Sequence, residues 1–159
     1  MTASFTIQRA TVNDAPEIAV MVGELLNEIM SAIGVSFFNF NLDETTARLI
    51  DFIDREKYYV FVARSRSLSP AGFIALYESY ALYAEGAFGT IPELYVRPPH
   101  RTNKLGLHLV SQAKSFGASR GWTRLEVTTP PLPQFDRTLA FYEREGFGIS
   151  GGRKLKVDL

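Results

Sequence analysis

Apolar and polar residues alternate through Phe5-Thr6-Ile7-Gln8-Arg9-Ala10, the repeat of a strand. The spacing then changes. Ile18, Met21, Val22, Leu25, Leu26 and Ile29 recur at helical intervals, with Thr11 or Asp14 as cap, Pro16 in the first turn and Gly34 as the stop. An aromatic connection, Val35-Ser36-Phe37-Phe38-Asn39-Phe40-Asn41, leads to a second helix that Asp43 is expected to cap and that runs to about Arg55. Tyr58–Ala63 and Gly72–Tyr77 read as strands joined by the turn Ser67-Leu68-Ser69-Pro70, and Glu85-Gly86 leads into a third, Ile91–Val96. Leu105, Leu109, Val110, Ala113 and Phe116 form the apolar stripe of a long helix that ends between Gly117 and Gly121. Trp122–Thr128 predicts another strand, stopped by Pro130-Pro131-Leu132-Pro133. Phe135, Thr138, Leu139 and Tyr142 share a helix face ending at Gly146, and the alternating tail Lys154–Leu159 predicts a last strand. The order β-α-α-β-β-β-α-β-α-β, without repeat or linker, predicts one mixed α/β domain over residues 1–159.

The stretch from Ile91 to Phe116 organises the rest. Arg97-Pro98-Pro99 stops its strand, since proline has no N–H to extend a ladder. The basic segment His100-Arg101-Thr102-Asn103-Lys104-Leu105-Gly106 then opens the long helix. A strand that breaks into a basic turn before a helix leaves the first helical N–H groups facing the turn, which makes an anion site.

These residues carry a resemblance. Val96–Leu109 resembles the cofactor segment of the GCN5-related N-acetyltransferases, [QR]-x-x-G-x-[GA], with Arg101 first, Gly106 last and Lys104 where the family has its first glycine. A lysine there keeps the amide and adds a positive charge, provided its φ stays negative. Ala140–Phe147 is similar to the family's late F-Y-x-x-x-G-F segment, although Phe135 stands where members often carry Asn. The resemblance covers nearly the whole chain. It implies the acyl-CoA N-acyltransferase fold and acetyl-CoA as cosubstrate. Its phosphates would be held by Arg101, Thr102, Asn103, Lys104, Leu105, Gly106 and Leu107, and its acetyl carbonyl and pantetheine by the backbone of Leu94, Tyr95 and Val96. Homodimers are common in such folds, and nothing in this sequence marks an edge or face that would pair.

Composition narrows the chemistry. Lys plus Arg and Asp plus Glu number 17 each, so no global field favours nucleic acid or an anionic membrane. The absence of cysteine excludes disulfides, thiolate metal sites and a cysteine nucleophile, and the two histidines have no metal-ligand spacing. With neither a leader-like start nor a long apolar run, the chain reads as cytoplasmic. A dinucleotide site has Glu126 at a fitting distance after Gly106 but lacks G-x-G-x-x-G.

Acetyl transfer needs a neutral amine, and a lysine-like amine has a pKa of about 10. A placed base is then worth roughly 10²–10⁴ in rate. Glu93 is the leading base candidate, on a strand face with Ile91 and Tyr95, with Glu78 and His100 in reserve. By the resemblance, Tyr142 is the acid for the departing thiolate. Phe37, Phe38 and Phe40 are candidates for an apolar wall against the acceptor, a small-molecule or peptide amine. The rival reading is a catalytically silent CoA-binding or interaction module.

Overall fold

The computed structural model describes residues 4–159. They group into two compact units, one through Thr128 and one from Thr129. The first unit holds a mixed sheet with helices on both faces: β1 (Thr6–Arg9), α1 (Ala15–Ile33), α2 (Leu42–Asp54), β2 (Tyr59–Arg64), β3 (Pro70–Ala81), β4 (Gly86–Ile91), β5 (Leu94–Val96), α3 (Leu105–Ser119) and β6 (Leu125–Val127). The second holds α4 (Asp136–Arg144).

Strands β1, β2 and β3 are antiparallel neighbours, and β4 pairs antiparallel with β3 and parallel with β6. The strand expected over Ile91–Val96 is broken. Pro92 supplies no N–H, and the chain resumes as β5 along the same edge of β3. Tyr77 pairs with Thr90 but Ile74 with Leu94, so three steps along β3 oppose four along β4–β5. That extra residue is a β-bulge at Pro92–Glu93. Gly72 lets β5 lie close: a Cβ there would stand 2.6 Å from Tyr95 O.

On one sheet face, Val60, Val62, Phe73, Ala75 and Tyr95 join Ile18 and Met21 of α1 and Leu49 of α2 in a buried cluster. On the other, α3 buries Leu105, Leu109, Val110 and Ala113, and Phe116 packs on Tyr59, Phe61 and Trp122.

Several boundaries depart from expectation. Thr11 caps a short 3₁₀ turn, Val12–Asp14, rather than α1 itself. Asn41, not Asp43, caps α2, its Oδ1 accepting from Glu44 N–H at 2.9 Å. Gly34 ends α1 at φ 71° as expected. Helix α4 starts at Asp136, with Phe135 at its cap position. The last strand does not form: Gly151 and Gly152 take positive φ, and Lys154–Leu159 is exposed and takes no strand conformation. The observed order therefore gains a strand at the bulge and lacks one at the tail.

Candidate active site

The bulge positions Glu93. Its carbonyl accepts from Ala75 N–H at 2.9 Å, while Arg97 N–H donates to Ala71 O at 2.8 Å. Antiparallel ladders alternate, so the backbone groups of Glu93, Tyr95 and Arg97 face β3, and those of Leu94 and Val96 face the open edge. β6 does not follow β5 there: its pairing with β4 ends at Ile91 and Val127. Of the three residues expected to offer backbone to the cofactor, Leu94 has both groups and Val96 its N–H on the open edge, whereas Tyr95's groups are spent on β3.

The Glu93 side chain lies on the α1–α2 face, beside Tyr58, whose hydroxyl donates to Oε2 at 3.4 Å. Tyr58 stacks on Tyr77 with centroids 6.2 Å apart and leans on Phe52 at 5.0 Å. Burial pushes the Glu93 carboxyl up to about 7, against the opposing pull of the Tyr58 hydrogen bond. Burial and the adjacent carboxylate raise the Tyr58 phenol, so it stays a proton donor.

The reserves for the base fare differently. Glu78 accepts from Tyr80 Oη and from Trp122 Nε1 (2.6 Å), with Arg120 at 3.6 Å. Those bonds, Tyr80's first, hold its carboxyl below the usual range, which makes it a weak base. The His100 ring sits edge-on to Phe5 at 5.5 Å.

The turn expected to bind phosphate is a 3₁₀ helix, Pro98–Asn103, that includes Thr102 and Asn103. Lys104 follows at φ 58°, in the left-handed region that glycine favours, so the condition of a negative φ is not met and the lysine's charge is carried on a strained backbone. The first i→i−4 bond of α3 runs from His108 N–H to Lys104 O (3.2 Å), so the N–H groups of Leu105, Gly106 and Leu107 precede the helical ladder. The Leu105 side chain is buried in the core and leaves only its backbone to the site. Arg101 is committed elsewhere: Nη1 and Nη2 meet Glu28 of α1, each at 2.8 Å, and Nε donates to Val96 O at 2.8 Å.

Sequence reasoning missed a row of carboxylates on α1 and the 3₁₀ turn before it. Glu24 takes Arg97 Nε and Nη2, both at 3.0 Å, and the Tyr95 hydroxyl at 3.3 Å, while Glu17 and Asp14 hold Arg64 at 3.0 and 2.8 Å. No local signal in the sequence marks these carboxylates, whose partners lie far along the chain.

Phe37, Phe38 and Phe40 are exposed on the α1–α2 connection. Phe40 lies on Gly23 of α1, where a Cβ would stand 2.7 Å from its ring, and Phe38 N–H donates to Met30 Sδ at 3.4 Å. A shallow hollow of about 300 Å³ beside this connection is lined by Asn27, Met30, Ser31, Gly34, Val35 and Ser36, which includes neither Glu93 nor the turn.

In the second unit, Tyr142 is buried on α4 between Phe141 and Phe147, with centroids 5.2 and 5.3 Å away, and burial raises its phenol. Among the described residues no group of His, Asp or Glu could hold a metal ion, and no helix is long and apolar enough to cross a membrane.

The profile of the Acetyltransferase (GNAT) family matches residues 24–147. No curated protein matches the chain. Among solved structures, an integron cassette protein from the mobile metagenome of Cole Harbour Salt Marsh is 21% identical, with TM-score 0.79 over 96% of this chain and 90% of that one. A GCN5-related N-acetyltransferase from Ralstonia eutropha JMP134 is 16% identical, with TM-score 0.78 over 97% and 99%. An aminoglycoside acetyltransferase from an uncultured soil metagenomic sample is 20% identical, with TM-score 0.76 over 98% and 96%. At these identities the likeness is one of fold.

Proposed function

Because the chain belongs to the acetyltransferase (GNAT) family, we propose that it transfers an acetyl group from acetyl-CoA to a primary amine of a small molecule or peptide by direct attack. The observation that carries this reading is Glu93, a carboxyl pushed up to about 7 at the bulge where the edge of β5 opens. A base with that pKa is half ionised at neutral pH and accepts a proton far more readily than an ordinary glutamate.

The residues fit the cosubstrate in two places. The free edge groups of Leu94 and the Val96 N–H suit the amides of an extended pantetheine, as a strand edge suits another strand. The amides of Leu105, Gly106 and Leu107 suit a pyrophosphate at a helix start. In the reaction, the amine nitrogen bonds to the acetyl carbonyl carbon and the thioester C–S bond breaks. The amine's proton goes to the Glu93 carboxylate, and the departing thiolate takes up a proton, a role that the resemblance of Ala140–Phe147 to the family's late segment assigns to the Tyr142 hydroxyl. With no cysteine in the chain, there is no thiol for an acetyl-enzyme.

The test is calorimetric titration with acetyl-CoA and CoA, followed by a thiol-release assay over an amine panel. Aminoglycosides, the substrate class named for one structural neighbour, belong on that panel with polyamines, amino acids and peptide N-termini. Binding with turnover supports the proposal. Binding without turnover across the panel favours a silent CoA-binding module, and absence of binding removes the cofactor reading.

A further inference from the structure

We infer that Arg101 is a positioning residue, pinned by Glu28 so as to fix the turn against β5, and that Lys104 supplies the charge that faces the phosphates. This rests on the acetyl-CoA reading proposed above.

The guanidinium has five N–H donors in a rigid fork. Three are placed: one on each Glu28 oxygen and one on Val96 O. A phosphate approaching Arg101 would meet the Glu28 carboxylate as well, and the two charges cancel at short range. Arg101 therefore contributes shape more than field. Its bond to Val96 O occupies the last acceptor on the open edge of β5, where the strand passes into the turn. Its ring neighbour is Tyr95, 5.7 Å from the guanidinium carbon to the centroid.

The pin is part of a larger ladder. Glu24 and Glu28, one turn apart on α1, hold Arg97 and Arg101, which lie four residues apart across the end of β5. Two matched pairs set the azimuth of the turn relative to α1, and hence where the α3 amides point. Both side chains of the outer pair are roughly two-fifths exposed, at 43% and 39%, so the pair contributes little to global stability. Its effect is then expected in ligand affinity rather than in the melting temperature. Lys104 has no ion pair among the described residues and stands at the start of α3, where a cation adds directly to the amides' attraction for an anion.

The experiment is CoA titration of the full chain against Glu28→Gln, Arg101→Lys and Lys104→Met, over a range of salt concentrations, with melting temperatures recorded in parallel. The two readings of Arg101 predict opposite signs. If Glu28 pins Arg101, Glu28→Gln weakens CoA binding by about fivefold to tenfold. If Arg101 is instead a phosphate ligand, removing its competing carboxylate tightens binding. Arg101→Lys keeps the charge but loses the fork, so a positioning role predicts a similar weakening with the salt dependence intact. Lys104→Met should flatten the salt dependence. Tighter or unchanged binding by Glu28→Gln, while the wild type binds, overturns this inference alone. Failure of the wild type to bind CoA overturns the cofactor reading and the inference with it.

Discussion

The Tyr58 hydroxyl donates to Glu93 Oε2 across 3.4 Å, linking the residue just before β2 to the bulge that precedes β5. Burial raises the carboxyl and this bond lowers it, and the balance leaves Glu93 at about 7.

The rate of acetyl transfer should rise with pH through an inflection near 7, the point at which Glu93 loses its proton. Glu93→Gln removes that limb and lowers kcat by roughly 10²–10⁴. The stability effect runs the other way. A carboxyl whose folded pKa is raised supports the fold when protonated, and that support is lost as pH climbs from the unfolded value near 4.5 through 7. Glu93→Gln should therefore be the more stable protein at pH 8, by about 2 kcal/mol, with the advantage gone at pH 4. Denaturant unfolding at the two pH values checks the sign.

Tyr58→Phe deletes the bond that lowers the Glu93 pKa while keeping the ring that shields it. The rising limb should shift to higher pH, with a loss of no more than about tenfold in kcat at pH 8. A pH–rate profile identical to that of the wild type would remove Tyr58 from the description of the base.

Glu78 serves as the contrast. Its carboxyl is lowered by Tyr80 first and Trp122 second, so it supports the fold while ionised, at pH values above the unfolded value, and loses that support on acidification. Glu78→Gln should lower the thermal midpoint at pH 7 through the weakened bond to Trp122 Nε1. The inflection near 7 should remain. Its disappearance in this variant would transfer the base to Glu78.

Lys104→Gly relieves a left-handed residue and should stabilise the chain by about 0.5–1 kcal/mol after the entropy glycine adds to the unfolded state. Lys104→Ala removes the same charge but keeps the strained φ, so it should not share the gain. Thermal midpoints of the two variants decide this directly.

What the sequence made legible was set by the range of the interaction. Helices α1 and α3 have long stripes that repeat every turn, and Gly34 marks an end by its own backbone freedom, so their existence could be read locally. Glu93 stood out as a lone carboxylate in an apolar strand. The strand's break was also written locally, in Pro92, but a three-residue β5 is too short for alternation to separate it from β4. The partners of Arg97 and Arg101 were not legible, because Glu24 and Glu28 lie 73 residues away and look like ordinary solvated positions on a helix. Tyr58 escaped for the same reason, being 35 residues from Glu93. The tail misled in the opposite sense: its alternation is real, yet alternation alone does not supply a neighbouring strand.

The bulge at Pro92–Glu93 has a consequence for how this chain can change over time. Side chains that surround the base can be exchanged one at a time, each altering fit or pKa by a limited amount. Loss of a single codon between Ile91 and Leu94 is a different kind of event. Without the extra residue, either β4 or β5 must slide by one position along β3, and every side chain of the half that slides changes faces. If β5 slid, the base would leave the face of Tyr58 for that of α3, and the backbone groups of Leu94 and Val96 that now point away from β3 would turn into the sheet. Lineages of this protein should accordingly tolerate substitutions around the bulge while holding its length constant.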